Sequence, residues 1–283
     1  MSWTIKIGSV ILSVMLLFSV TVFAEDLNGE LINAIASGQA ENVNSLLAKG
    51  ADANAKASGV TALMGAAAIG NSEIVMALLA KGANIDTKDD NGITALMHAS
   101  TYGRTETVLT LLEKGADINV AANGGITALM FAISKEHAET VKALLAKGAD
   151  INAKNKAGGT ALMTAVALGS VEIVKTLLDK GANANERNSD GATDLMSAVA
   201  RGYSEIVATL LTKITDINAK DNKGTTALMY AAYSGRTEIS TMLLAKGADV
   251  NAKNEKGKTA LMMAMKKGYT EIVDLLKQAG AKE

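Results

Sequence analysis

Short runs with apolar residues at helical spacing alternate along this chain with glycine and polar turn residues, and the alternation has a fixed period. The block Gly-x-Thr-x-Leu-Met occurs seven times, with its threonines at Thr61, Thr94, Thr127, Thr160, Thr193, Thr226 and Thr259, each 33 residues after the last. A strict period of that length marks stacked supersecondary units, each able to bury its apolar face only against its neighbours. The unit from Gly92 to Asn123 shows how one is built. Thr94 opens a short helix carrying Leu96, Met97 and Ala99, and Gly103 stops it. A second helix follows, with Glu106 in its first turn, where a carboxylate complements exposed amides. Its buried stripe is Val108, Leu111 and Leu112. Lys114 and Gly115 are the expected close of such a helix. Ala116-Asp117-Ile118-Asn119 and the stretch to Gly125 then read as an extended, hairpin-like connection, because Asx side chains cap turns and glycine relieves them.

This unit resembles the ankyrin repeat, a module of the same length with the signature Thr-Pro-Leu-His-x-Ala. Here the signature reads Thr160-Ala161-Leu162-Met163-Thr164-Ala165, followed by Gly169, Glu172-Ile173-Val174, Leu177-Leu178 and Gly181-Ala182-Asn183-Ala184-Asn185. Alanine takes the place of the family's proline and methionine that of its histidine; the chain contains no proline. A missing first-turn proline forgoes about 0.4–1 kcal/mol per site where the geometry fits. Methionine fills the histidine's space with flexible apolar volume. The resemblance covers nearly all of the chain after residue 24. It implies an all-α ankyrin-repeat solenoid of about eight stacked helix-turn-helix units with short hairpin-like connections.

The expected division is a cap unit at 27–57, repeats at 58–90, 91–123, 124–156, 157–189, 190–222 and 223–255, and a second cap unit at 256–283, all within one domain at 25–283. Polar Asn28, Glu30, Asn33 and Gln39 at one end, and Lys277, Gln278, Lys282 and Glu283 at the other, suit terminal faces that have no neighbour. Residues 1–24 are of another kind: Lys6, an apolar run from Ile7 to Phe23, and Val22-Phe23-Ala24 before Glu25-Asp26. That arrangement reads as a secretory signal peptide cleaved after Ala24, with an uncleaved membrane anchor as the alternative. The expected location is periplasmic or secreted, with no membrane attachment after cleavage.

Net charge is −1, and removal of the leader with its single Lys6 makes it −2. Nucleic-acid binding calls for a clustered basic face, whereas the lysines here recur at one helix-terminal place in each repeat, so no nucleic-acid partner is expected. Cysteine is absent, which excludes disulfides, thiol chemistry and a lipoprotein anchor. The histidines number two, His98 and His137; a zinc site needs more ligands in convergent geometry. The motif threonines read as helix N-caps rather than nucleophiles. Glu41, Glu73, Glu106, Glu139, Glu172, Glu205, Glu238 and Glu271 share one position in eight units and read as helix-start residues, since paired catalytic carboxylates need unlike environments. Thr87-x-Asp89-x-Asn91-Gly92 fails the calcium-loop pattern at its first place and has His98 at its last. The expectation is a protein with no enzymatic activity, no cofactor and no metal.

What remains are the positions the repeat does not fix. The resemblance implies that a protein partner docks on the hairpin tips and the concave face made by the first helices. Six aromatic residues follow the leader: Tyr102, Phe131, Tyr203, Tyr230, Tyr233 and Tyr269. Four of them, Tyr102, Phe131, Tyr230 and Tyr233, fall at variable positions of that face. Aromatic side chains give large contact area at modest entropic cost. Together with His98, Lys135, Arg201 and Lys267 they form the candidate partner-binding set of a monomeric interaction scaffold. Alternatives are a secreted effector acting on host proteins, or a periplasmic accessory protein supporting an enzyme. Two units break the repeat's own rules: Glu136 stands where a glycine separates the helices, and Ile214 where a glycine ends the second helix. A β-branched residue fits the left-handed conformation poorly, so the turn at Ile214 is expected to be rebuilt or strained, with a hinge between the sixth and seventh units as the sharper expectation.

Overall fold

A computed structural model describes residues 26–214 and 216–282. The expected leader at 1–24, and Glu283 of the polar edge, lie outside the described residues. The chain divides into two compact units, one ending at Asp150 and one beginning at Ile151. In the first, helices come in pairs: α1 (Leu27–Ala36) with α2 (Ala40–Ala48), α3 (Ala62–Ile69) with α4 (Ser72–Ala80), α5 (Ala95–Thr101) with α6 (Thr105–Glu113), and α7 (Ala128–Ser134) with α8 (Ala138–Ala146). The second continues in the same way: α9 (Ala161–Leu168) with α10 (Val171–Asp179), α11 (Asp194–Arg201) with α12 (Ser204–Leu210), α13 (Ala227–Tyr233) with α14 (Thr237–Ala245), and α15 (Ala260–Lys267) with α16 (Thr270–Gln278). Within each unit the first helix of a pair packs on the first helix of the next, and second helices pack on second helices. This is the helical solenoid that the period required. A short antiparallel pair, β1 (Lys56–Ala57) and β2 (Val60–Thr61), sets Lys56 opposite Thr61. The bridges Ala121 to Thr127 and Arg187 to Thr193 show two further connections of the expected hairpin kind.

Local chemistry explains the helix starts. All seven motif threonines are N-caps in extended conformation, each accepting the amide three residues on; the Met64 and Met163 amides reach Thr61 and Thr160 at 3.2 Å. Each satisfies one of the four amides a helix start leaves open. The eight glutamates lie in the first turns of the second helices, where the dipole favours them. The motif leucines and second-helix stripes make the core: Leu63, Leu96, Leu129, Val108 and Leu111 in the first unit, Leu162, Leu228, Val174 and Leu177 in the second, are buried.

The Asx turns do more than close their own loops. The backbone amides of Asn54 and Asn119 donate turn bonds to the Asp52 and Asp117 carboxylates, and the Asn54 and Asn119 side chains accept the amides of Asn84 at 2.8 Å and Asp150 at 2.9 Å, about one repeat later. In the second unit Asn152 does the same for Asn183, and Asn218 for Asp249. The turn residues therefore also tie successive repeats.

Glycine between the helices has an equally specific reason at Gly169 and Gly235. Both have positive φ, and a Cβ on either would stand 2.9 Å from the ring of Tyr203 or Tyr269, respectively. Tyr203 and Tyr269 thus cover the preceding repeat's glycine.

Of the two rule-breaking positions, Glu136 keeps the glycine geometry, with φ +57. Ile214 does not. Helix α12 stops at Leu210 after seven residues, where α10 and α14 run for nine, and the amides of Lys213 and Ile214 both turn back to the Leu210 carbonyl. The turn is rebuilt rather than forced into a left-handed isoleucine.

Candidate binding surface

Four residues after their motif threonines, the side chains of Tyr230 and His98 lie against the Asx turn that precedes the helix. In the second unit this position is Tyr230, whose hydroxyl donates to Asp221 Oδ2 at 2.8 Å. Asp221 Oδ1 meanwhile accepts the amides of Lys223 and Thr225 at 2.9 and 2.7 Å. Burial pushes Asp221 up, but these hydrogen bonds outweigh it and hold the carboxyl below the usual range. Burial and the same carboxylate push the Tyr230 phenol up to about 12.

In the first unit the equivalent residue is His98. It is only 4% exposed, with Nε2 at 4.0 Å from Asp89 Oδ2 and no hydrogen-bond partner among the described residues. Burial lowers its pKa against the pull of Asp89. A side chain in that position packs; it does not present itself to a partner. His137 lies elsewhere, over Gly103, with Nε2 3.0 Å from the Thr101 carbonyl.

The remaining candidates sit where the first helices end. In the first unit Tyr102 caps α5 and Lys135 caps α7, both half-buried, as is Phe131 on α7. Burial raises the Tyr102 phenol, with Arg104 opposing. In the second unit Arg201 ends α11, Tyr233 ends α13 and Lys267 ends α15. Arg201 and Lys267 are exposed. Tyr233 is 52% exposed, with the Lys267 ammonium 4.2 Å from its ring centroid, a cation–π arrangement that holds the ring in place at the surface. The second unit therefore brings Tyr233 and Lys267 together as neighbours, while Tyr230 is turned to Asp221.

Two features were missed by sequence reasoning. Met262 and Met265 on α15 are exposed, although the same repeat positions are buried at Met229 and Ala232. Polar substitution was expected at this last unit, yet its first helix shows methionines. The other is Asp194, which stands where six of the seven motif blocks have alanine. It is 1% exposed, neither carboxylate oxygen has a hydrogen-bond partner among the described residues, and burial pushes its pKa up to about 7, with Glu186 adding to the rise. That lone break in the block was the available signal.

Among the described residues no group of three or more His, Asp or Glu side chains is placed to hold a metal ion, and no helix is long and apolar enough to cross a membrane. A family model of ankyrin repeats, in three copies, matches residues 31–122, 120–188 and 195–283. No curated protein matches the chain.

Proposed function

Because this chain belongs to the ankyrin repeat family, whose repeats generally mediate protein–protein interaction, we propose that it is a non-enzymatic scaffold, exported from a bacterial cytoplasm, that binds a protein partner. The partner docks on the exposed ends of the first helices and the adjoining hairpin tips. The observation that carries this reading is Tyr233: a large aromatic ring, 52% exposed, steadied by Lys267, at a place where the repeat itself needs no aromatic. Such rigid, amphipathic rings are enriched at interface hot spots. Arg201, Tyr102, Phe131 and Lys135 extend the same kind of surface within their own units. His98 serves packing instead, and Tyr230 contributes its ring edge while its hydroxyl is engaged. Export rests on the leader pattern of residues 1–24, and the scaffold acts as a monomer in the periplasm or outside the cell.

The test is site-specific photocrosslinking in the producing cell. A photoreactive residue at position 233 is expected to trap one discrete partner, and the same probe at Lys180, exposed at the end of the second helix α10, is expected to trap none. Equal, diffuse labelling from both places would overturn the assignment of this surface.

A further inference from the structure

The alanine of the motif block is buried wherever it occurs: Ala62, Ala95, Ala128, Ala161, Ala227 and Ala260 are all about 1% exposed. Asp194 puts a carboxyl group into that same slot, at the first residue of α11. The neighbourhood offers it nothing. Helix α9 carries no ionisable side chain. The Glu205 carboxylate of α12 is taken by Lys175 at 2.6 Å, and the Tyr230 hydroxyl of α13 is given to Asp221. Tyr233 lies exposed at the far end of α13. Arg187, paired with Thr193 across the hairpin, donates to the Lys220 carbonyl. Glu186, kept ionised by Lys154 at 2.5 Å and by the Asn183 amide at 3.0 Å, adds a repelling charge. An ionised carboxylate enclosed in this way without a partner is strongly disfavoured.

The same repeat is also built to give way. A cavity of about 200 Å³ is lined by the two chain neighbours of Asp194, Thr193 and Leu195, though not by Asp194 itself, together with Arg187, Ile214 and Asp216. Helix α12 is the short one, ending two residues early at the rebuilt turn before Ile214. A carboxylate leaving its slot therefore has a nearby route to water, past the least regular second helix of its unit.

We propose that the repeat at 190–222 is a proton-governed joint: the α11–α12 pair stays closed while the Asp194 carboxyl keeps its proton, and opens locally to hydrate the carboxylate when that proton is lost. The closed form holds the proton more tightly than the open form, whose carboxyl titrates near 4. Opening is therefore least at acid pH, grows about tenfold per pH unit between about 4 and 7, and levels off above.

Hydrogen exchange on the full chain from pH 5 to pH 9 reads this directly. Amides of α11 and α12 are compared with those of α9 and α10 in the same molecule, so that the intrinsic pH dependence of exchange cancels. The exchange ratio between the two pairs is expected to rise about fiftyfold from pH 5 to pH 7 and then flatten. In Asp194→Ala, which restores the residue of the other six blocks and so is expected to fold, the ratio should stay constant across the range; in Asp194→Asn the rise should also vanish. A ratio that does not change with pH in the natural chain, or that changes equally in Asp194→Ala, would overturn the proposal.

Discussion

At the scale of single residues, the regular positions and the irregular ones answer to different physics. Thr226 and its six counterparts satisfy helix-start amides, and any repeat of this design needs them. Asp194 satisfies nothing, so its removal should help. Its folded pKa, up to about 7, exceeds the ordinary value, hence the charge-dependent part of the destabilisation is absent in acid, grows from about pH 4 and is complete above pH 7. Asp194→Ala is expected to stabilise the chain by up to about 4 kcal/mol more at pH 8 than at pH 4, measured by urea unfolding at the two pH values. Tyr230→Phe has the opposite sign. Loss of the bond to Asp221 should cost about 1 kcal/mol at neutral pH. Because the folded Asp221 carboxyl lies below its usual range, that cost should shrink as acid protonates it, and the same unfolding series checks this. Of these two side chains, the first is marked in the sequence only as the single acid in a row of alanines, which does not disclose that it is buried without a partner. The engagement of Tyr230, like the burial of His98, depends on how a first helix leans on the preceding Asx turn, and no pattern along the chain records that lean.

At the scale of elements, helix starts, helix stops and buried stripes were legible because each rests on interactions within four residues. The threonine caps, the first-turn glutamates and the glycine stops all stand where the pattern put them. Less legible were contacts about one repeat apart: Tyr203 over Gly169, or Asn54 accepting the Asn84 amide. Periodicity announces that such contacts exist but does not say which atoms make them. Two consequences follow for the elements. Asn54 also donates its amide group to the Gly82 carbonyl at 3.1 Å, so Asn54→Ala removes two ties between repeats and should cost about 1–3 kcal/mol, with hydrogen-exchange protection lost first at the Asn84 amide. Proline in the first helical turn should help at one repeat and not at another. Thr160 is extended (ψ 170) before Ala161, as a residue preceding proline must be, and Ala161→Pro is expected to raise stability by about 0.4–1 kcal/mol. Ala62→Pro would destroy the 2.8 Å bond from the Ala62 amide to the Ala55 carbonyl and should give no gain; paired thermal melts distinguish the two.

At the scale of the whole molecule, an array of this kind is stabilised by nearest-neighbour interfaces rather than by one central core. The side chains that recur every 33 residues are spent on those interfaces, which leaves recognition to side chains the period does not dictate. Legibility follows the same division. The fold could be read from the recurrence, whereas the surface had to be read from exceptions, and exceptions do not declare whether they face solvent. His98 was an exception that turned inward, and Tyr233 one that turned outward. The direct test of this division is the yield of partner crosslinked to a photoprobe at Lys267, measured in the producing cell for Thr226→Ala and for Tyr233→Ala at equal amounts of folded protein. Thr226→Ala, though weakened by the loss of its cap, should retain the yield, and Tyr233→Ala, though as stable as the natural chain to within about 0.5 kcal/mol, should lose most of it. Retention by Tyr233→Ala together with loss by Thr226→Ala would show that the repeating positions carry the recognition.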